Sequence, residues 1–427
     1  DDIKNLKSET ELNEKKQSEE ISKIHNDNLI LKQQLVYHSN HQLLQSKCNI
    51  SSTFNFDLFR SSSKLFNTFT GHTDTVWSID YSIFDNSLLI CSGSEDKTVR
   101  VWDADNNKQI QSFNWHSNSV LCVKFSPYHY HNRRQNVICS SSADKTIRFW
   151  DFKHNRQLQL LDEHTYAICG IKFSPFNSGR YLCSGSGDCT IRLWDVETYK
   201  LLNIFNGHTS TVTCIDISPL QSNNKSYSNK NDNTGVIGGN GYTICSGSYD
   251  KIIRVWDIET TKQLNVFKGH DNWIYSVKYG SNELKNIGCA NTILSGSRDK
   301  SVRLWDIRSG QQIQVFNGHS SWVCCVEYSP FIVNNIEFGG NSNVICSGSR
   351  DNTIRFWDIR SNKNELNIIK GDEKDDGISC LTFVSLKKKV NNNAQVLNDD
   401  CVVNLCHGSV KGPIHVRELA HVNEDLF

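Results

Sequence analysis

Serine, histidine and aspartate recur through this 427-residue chain in sets that could do chemistry. Each set is completed by a tryptophan: His72, Ser92, Asp96, Trp102; His116, Ser140, Asp144, Trp150; His164, Ser184, Asp188, Trp194; His208, Ser246, Asp250, Trp256; His270, Ser295, Asp299, Trp305; and His319, Ser347, Asp351, Trp357. Ser, His and Asp are the nucleophile, base and orienting acid of acyl-transfer hydrolases. In every set, however, the Ser stands ten residues before the Trp and the Asp six before it. A hydrolase needs one triad, whereas a fold built of equal units needs the same bonds in each unit. The repetition therefore makes these sets structural. Asp accepts from His, His bridges to the Ser hydroxyl, and Ser accepts the indole N–H, so each buried polar group finds a partner. No phosphate loop, Gly-x-Ser-x-Gly elbow or zinc spacing accompanies them, so no enzyme activity, cofactor or metal is expected.

The elements that must hold these sets are short strands. In residues 292–306, TILSGSRDKSVRLWD, two apolar runs flank Arg298-Asp299-Lys300, the pattern of a hairpin. The stretch returns with small changes, its Trp-Asp pairs ending at Asp103, Asp151, Asp195, Asp257 and Asp358. A His, in four of the six copies preceded by Gly as in Gly318-His319, and a further β-rich run come before each copy, and a fourth run such as QQIQVF follows. Four strands per period, at a fixed period, mark a repeat architecture.

This pattern resembles the WD-40 repeat family over about residues 62–419. The resemblance implies an all-β fold, a seven-bladed β-propeller of four-stranded antiparallel blades. It also implies a rigid, non-enzymatic platform on which other proteins assemble. The seventh copy, CHGSVKGPIHVREL, is degenerate: His407, Lys411 and Arg417 stand at the Ser, Asp and Trp positions, and Gly371-Asp372 replaces Gly-His. Residues 64–69, KLFNTF, match the outer strands KQIQSF, KLLNIF and KQLNVF but have no blade of their own before them. In the family such a strand completes the last blade. Here it should pair beside residues 413–417 and remove the end blades' open edges.

The expected organisation is an N-terminal helical or coiled-coil segment (1–50), a linker (51–61), the propeller (62–419) and a tail (420–427). Ile21, Ile24, Asn28, Leu31 and Leu35 fall at coiled-coil spacing, which offers a second partner site. Lys and Arg balance Asp and Glu at 46 each, so no bulk polyanion, and no direct nucleic-acid contact, is expected. No apolar run reaches the ~18 residues of a membrane span, and DDIKNLKSET is no signal peptide. The absence of Met marks the sequence as a fragment. Of sixteen cysteines, Cys91, Cys139, Cys183, Cys245, Cys346 and Cys406 share one repeat position and Cys122, Cys214, Cys325 and Cys380 another, without Cys-x-x-Cys spacing, as small core residues suited to a reducing cytoplasm or nucleus. Inserts near 128–136, 221–241, 281–291, 331–343 and 385–400 read as mobile loops. The Arg two before each Trp is expected to stack within or between blades.

In the WD-40 family, the residues three and five after the His, and the one before the tetrad Asp, line the narrow face. The resemblance places Trp77, Tyr249, Trp273, Tyr275, Arg298, Trp322 and Arg350 there, while repeats two and three supply Ser119, Leu121, Ala143, Ala167, Cys169 and Gly187. Aromatic and Arg side chains are the usual anchors of interfaces. Trp273 and Trp322 are expected side by side, as are Arg298 and Arg350, in a patch suited to an acidic or phosphorylated peptide. The expected function is a protein–protein interaction scaffold. Two alternatives follow from resemblance. One is a substrate receptor of a cullin–RING ubiquitin ligase, from residues 293–308 ending in Trp305-Asp306-Ile307-Arg308. The other is a G-protein β-like subunit, from the layout of helix before propeller.

Overall fold

A computed structural model describes residues 64–84, 87–218, 242–280, 291–335, 340–361, 365–387 and 401–421. The segment expected to coil (1–50), the linker (51–61) and residues 422–427 of the expected tail lie outside these residues, as do most of the inserts near 221–241 and 281–291; residues 420 and 421 of that tail instead end the strand Ile414–His421.

The strands form seven four-stranded antiparallel sheets. Blade 5 is typical, with strands Ile274–Tyr279, Thr292–Ser297, Ser301–Asp306 and Gln311–Asn317 in spatial order. The first strands of successive blades pack on one another from blade 1 to blade 7, and the first strand of blade 7 packs on that of blade 1. The ring is closed. Blade 7 takes Ile378–Lys387, Cys401–Ser409 and Ile414–His421 from one part of the chain. Its outer strand is Lys64–Phe69, paired from Lys64↔Glu418 to Phe69↔Ile414 with a bulge at Leu65/Asn67. An edge that would otherwise stand unpaired is thereby used.

The second strand of each blade is squeezed between neighbours, and its composition follows from that. Thr292–Ser297 is buried at every position. A Cβ on Gly296 would lie 2.7 Å from Val323 Cγ1 of the next blade. Cys91, Cys139, Cys183, Cys245, Cys346 and Cys406, on the equivalent strands, are all fully buried, and no disulfide joins the described cysteines. The apolar core lies between blades. Leu294, Val302, Leu304 and Phe316 of blade 5 meet Val323, Val326, Ile345 and Trp357 of blade 6.

The hairpin between second and third strands places a left-handed residue after the tetrad Asp: Lys97, Lys145, Cys189, Lys251, Lys300 and Asn352, at φ 61–72°. In blade 7 that position is Gly412, at φ 104°.

Three inserts correct the expectation of mobile loops. Residues Pro127–Arg133 form an α-helix, with Pro at its start where no amide donor is needed. Its buried His129 is held by Ser126 Oγ at 2.8 Å and Tyr199 OH at 2.9 Å. In blade 6 the insert prolongs the first hairpin, as Val323–Asn335 against Gly340–Ser349. Part of the insert in blade 7 does the same, as Ile378–Lys387 against Cys401–Ser409.

Candidate partner-binding face

The six tetrads hold one geometry. His Nδ1 lies 2.7–2.8 Å from Asp Oδ2. His Nε2 lies 2.8 Å from Ser Oγ. Trp Nε1 donates to the same Oγ at 2.7–2.9 Å. The indole can only donate, so Ser Oγ accepts from it and donates its own proton to His Nε2. Burial lowers the pKa of His72, His116, His208 and His270 despite the facing carboxylate, which keeps these rings neutral. Burial acts to raise the pKa of Asp96, Asp144, Asp188, Asp299 and Asp351, but hydrogen bonds led by those from the His rings hold it well below the usual range. All six Ser side chains are fully buried, so in this arrangement no substrate reaches their hydroxyls.

Among the Arg residues two before a tetrad Trp, three bind polar groups on both sides rather than only stacking. Arg303 Nε donates to Ser301 Oγ at 3.1 Å, and Nη1 donates to Gln312 Oε1 at 2.8 Å. It thus ties the tetrad turn to the outer strand. Arg100 and Arg148 do the same through Thr98 and Thr146 and through Gln109 and Gln157. Arg148 alone of these three also lies over its Trp, 6.0 Å from the Trp150 centroid.

The aromatic and Arg side chains expected on the narrow face are all half-buried. Those of blades 4 to 6 form a ladder. Tyr249 stacks on Trp273 at 4.0 Å and 18°. The Arg298 guanidinium lies 4.4 Å from the Trp273 centroid and 4.2 Å from that of Trp322, with one indole in each of two adjacent blades. Tyr275 lies 6.2 Å from Trp322 and 6.1 Å from Tyr249. Burial raises the pKa of both tyrosines, so both are neutral hydroxyls.

Arg350 departs from the expected pairing. It lies over Trp77 of blade 1, 5.3 Å from its centroid, while Arg298 is held between the other two indoles. The reason is blade 7. Trp273 and Trp322 each precede the first-strand residue that opens the ladder, and Gly377 stands there in blade 7. Gly377 has φ +121°, and a Cβ on it would come within 3.0 Å of Arg350 Cα. With no indole at Gly377, Arg350 reaches across to Trp77. Trp77 Nε1 donates to Glu95, whose other carboxylate oxygen accepts from Ser119 Oγ at 2.9 Å. The two halves of the face are therefore unlike: aromatic and cationic at blades 4 to 6, small side chains at Ala143, Ala167 and Gly187 in blades 2 and 3.

Two groupings were missed from sequence. First-strand residues in one register form ion pairs between neighbouring blades: Lys124–Asp80 at 2.9 Å, Lys172–Asp216 at 2.9 Å and Lys278–Glu327 at 2.7 Å. The seventh blade has Thr382 in that register. The signal was present, because each of these residues faces the residue just before the tetrad Ser. In blade 7, Asp375, His407 and His415 converge, all buried, with one ligand atom from each within 4.8 Å of the others. His407 holds the Ser position and His415 the Arg position, but Asp375 belongs to no repeat position.

A closed ring of seven four-stranded blades, six of them carrying one buried tetrad, defines a WD-type propeller. The family model for the WD domain, G-beta repeat, matches residues 63–103, 107–151, 155–195, 199–257, 261–306 and 310–358, more than half of the sequence, and the chain belongs to that family. Curated relatives match over short stretches. WD repeat and SOCS box-containing protein 1 of Danio rerio is 37% identical over 73 residues, 15% of this chain and 17% of that protein. U3 small nucleolar RNA-associated protein 15 homolog of Xenopus tropicalis is 33% identical over 81 residues, 19% of this chain and 15% of that protein. Kinesin-like protein klp-12 of Caenorhabditis elegans is 36% identical over 61 residues, 14% of this chain and 4% of that protein. The chain thus spans less than a fifth of the length of each of these three relatives. Among the described residues, no helix is long and apolar enough to cross a membrane.

Proposed function

We propose that this propeller is a non-catalytic interaction scaffold that takes an acidic or phosphorylated partner peptide on the face built by Tyr249, Trp273, Tyr275, Arg298 and Trp322, with Trp77 and Arg350 at its border. The observation that carries this is Arg298. Its guanidinium faces are covered by two indoles, and no ion pair to it is found among the described residues. Its N–H edge, held by that stacking, suits a carboxylate or phosphate, and the half-buried indoles offer an apolar anchor. Buried thiols in repeat register suit a reducing compartment.

The test compares binding of acidic, phosphorylated and neutral peptides to the wild-type chain and to Trp322→Ala and Arg298→Ala. Acidic peptides should bind in a salt-sensitive way. Trp322→Ala should weaken binding by about 2 kcal/mol or more, with the thermal midpoint unchanged. Retained binding in both variants would move the site elsewhere. A receptor of a cullin–RING ligase is the second reading, favoured by Trp305-Asp306-Ile307-Arg308, whose Arg308 is exposed at the turn after the third strand of blade 5. Co-purification with the ligase adaptor, lost in Arg308→Ala, would select it.

A further inference from the structure

Blade 7 has lost the Ser-His-Asp-Trp network and gathered another. His407, fully buried at the Ser position, has no hydrogen-bond partner for either ring nitrogen among the described residues. A buried imidazole with both nitrogens unpartnered is unusual, because buried polar groups are ordinarily paired. Beside it, His415 Nε2 lies 3.0 Å from Asp375 Oδ2, and the two imidazole rings are 5.0 Å apart. Asp375 reaches this place because Asp372, where the other blades carry His, caps the short 3-10 helix Glu373–Asp375 instead. Asp375 is 2% exposed and His415 6%.

We propose that Asp375, His407 and His415 form a binding site for a divalent transition metal of the zinc class, and that the metal fastens the blade that closes the ring. Two imidazoles and a carboxylate are a ligand set zinc accepts, at about 2.0–2.2 Å each. Magnesium and calcium would call for more oxygens than this site offers. Ligand atoms around a tetrahedral zinc stand roughly 3.3 Å apart, so a set already gathered within 4.8 Å needs only small side-chain shifts. His415 carries the outer contact such sites use: its Nδ1 is 3.1 Å from Thr68 Oγ1. A hydroxyl both donates and accepts, so Thr68 can hold the Nδ1–H tautomer that leaves Nε2 to a metal. Asp375 supplies the negative charge that a cation beside Arg417 requires.

The placement gives the site its role. The ligands lie on the second strand, the third strand and the 3-10 turn of blade 7, and Thr68 lies on the outer strand, 347 residues away in sequence from His415. One ion would join all four segments.

The test uses the whole chain, stripped with a chelator and titrated with Zn²⁺ alone. His407→Ser restores the residue type of the other six blades and keeps the strand foldable. Wild type should take up one equivalent of Zn²⁺ more than His407→Ser or Asp375→Asn. Zn²⁺ should raise the thermal midpoint and slow amide exchange across Lys64–Phe69 in wild type but not in those variants. Thr68→Val should keep the stoichiometry and weaken affinity ~10–100-fold. Equal Zn²⁺ uptake by wild type and His407→Ser, or unchanged exchange at the closing strand, would overturn the proposal.

Discussion

The tetrad Asp shows how much one carboxylate can hold in place. Asp299 accepts from His270 at 2.7 Å, from the Asp271 amide at 3.1 Å, and from the amide and hydroxyl of Ser301 at 2.9 and 2.6 Å. Asp299→Ala leaves those donors without their acceptor and should destabilise the fold by roughly 1–3 kcal/mol in denaturant unfolding, with peptide binding unchanged once folded. Among the described residues the side chain of Lys411, at the same repeat position, makes only an exposed ion pair with Asp376, and Lys411→Ala should leave the midpoint where it was. The buried His rings add a pH dependence. Their folded pKa lies below the unfolded value of about 6.5, so below that pH the unfolded chain binds more protons than the folded one. Stability is fully present above about pH 6.5 and falls as the pH drops through the His range, before the carboxylates begin to protonate. Thermal midpoints measured from pH 7.5 to 5 should decline steadily; a flat profile would contradict the neutral-ring assignment. The six networks were legible in sequence because their members share a register. The Asp375 cluster was not, because Asp375 stands at no repeat position and a degenerate repeat reads only as loss.

At the scale of the element, the hairpin turn after the tetrad sets the strain. Six blades place an L-residue at positive φ there, and blade 7 places Gly412, where a Cβ would meet His72 O at 2.3 Å. The turn of blade 7 thus lies against the His loop of blade 1, and only Gly fits. Gly412→Ala should lower stability by more than ~1 kcal/mol, whereas Lys300→Gly, which relieves a left-handed Lys, should be close to neutral. Denaturant midpoints of the two variants check this. Strand identity, blade order and the closing strand were all readable from repeat matches. The helix Pro127–Arg133 and the prolonged hairpin of blade 6 were not, because Asn- and His-rich inserts carry little periodicity. The ladder was half-readable. Ring position says which blades adjoin, but not whether a long Arg side chain spans to the next blade or, past a Gly, to the one beyond.

Across the whole molecule, neighbouring blades are matched by charge as well as by shape. Blades 1 and 2, 3 and 4, and 5 and 6 each share a Lys–carboxylate pair, and none of the six side chains is more than a third exposed. A double-mutant cycle on Lys278 and Glu327 should give a coupling of roughly 1–2 kcal/mol, between exposed and buried pairs. A coupling indistinguishable from zero would reduce the pairing to a surface coincidence. An odd number of blades cannot be tiled by pairs, and the one left over, with Thr382 in that register, is the blade that closes the ring. That closure also has a duration. Of the ring's strands, the outer strand of blade 7 is made first and its partner strand last, 347 residues separating Thr68 from His415. At about 5–20 residues per second of synthesis, roughly 20–70 s pass in which Lys64–Phe69 has been made and has nothing to pair with. Through that interval the growing chain carries an unpaired strand whose Leu65 and Phe66 remain exposed even in the finished fold, and the cell must keep it from other edges until the last blade arrives.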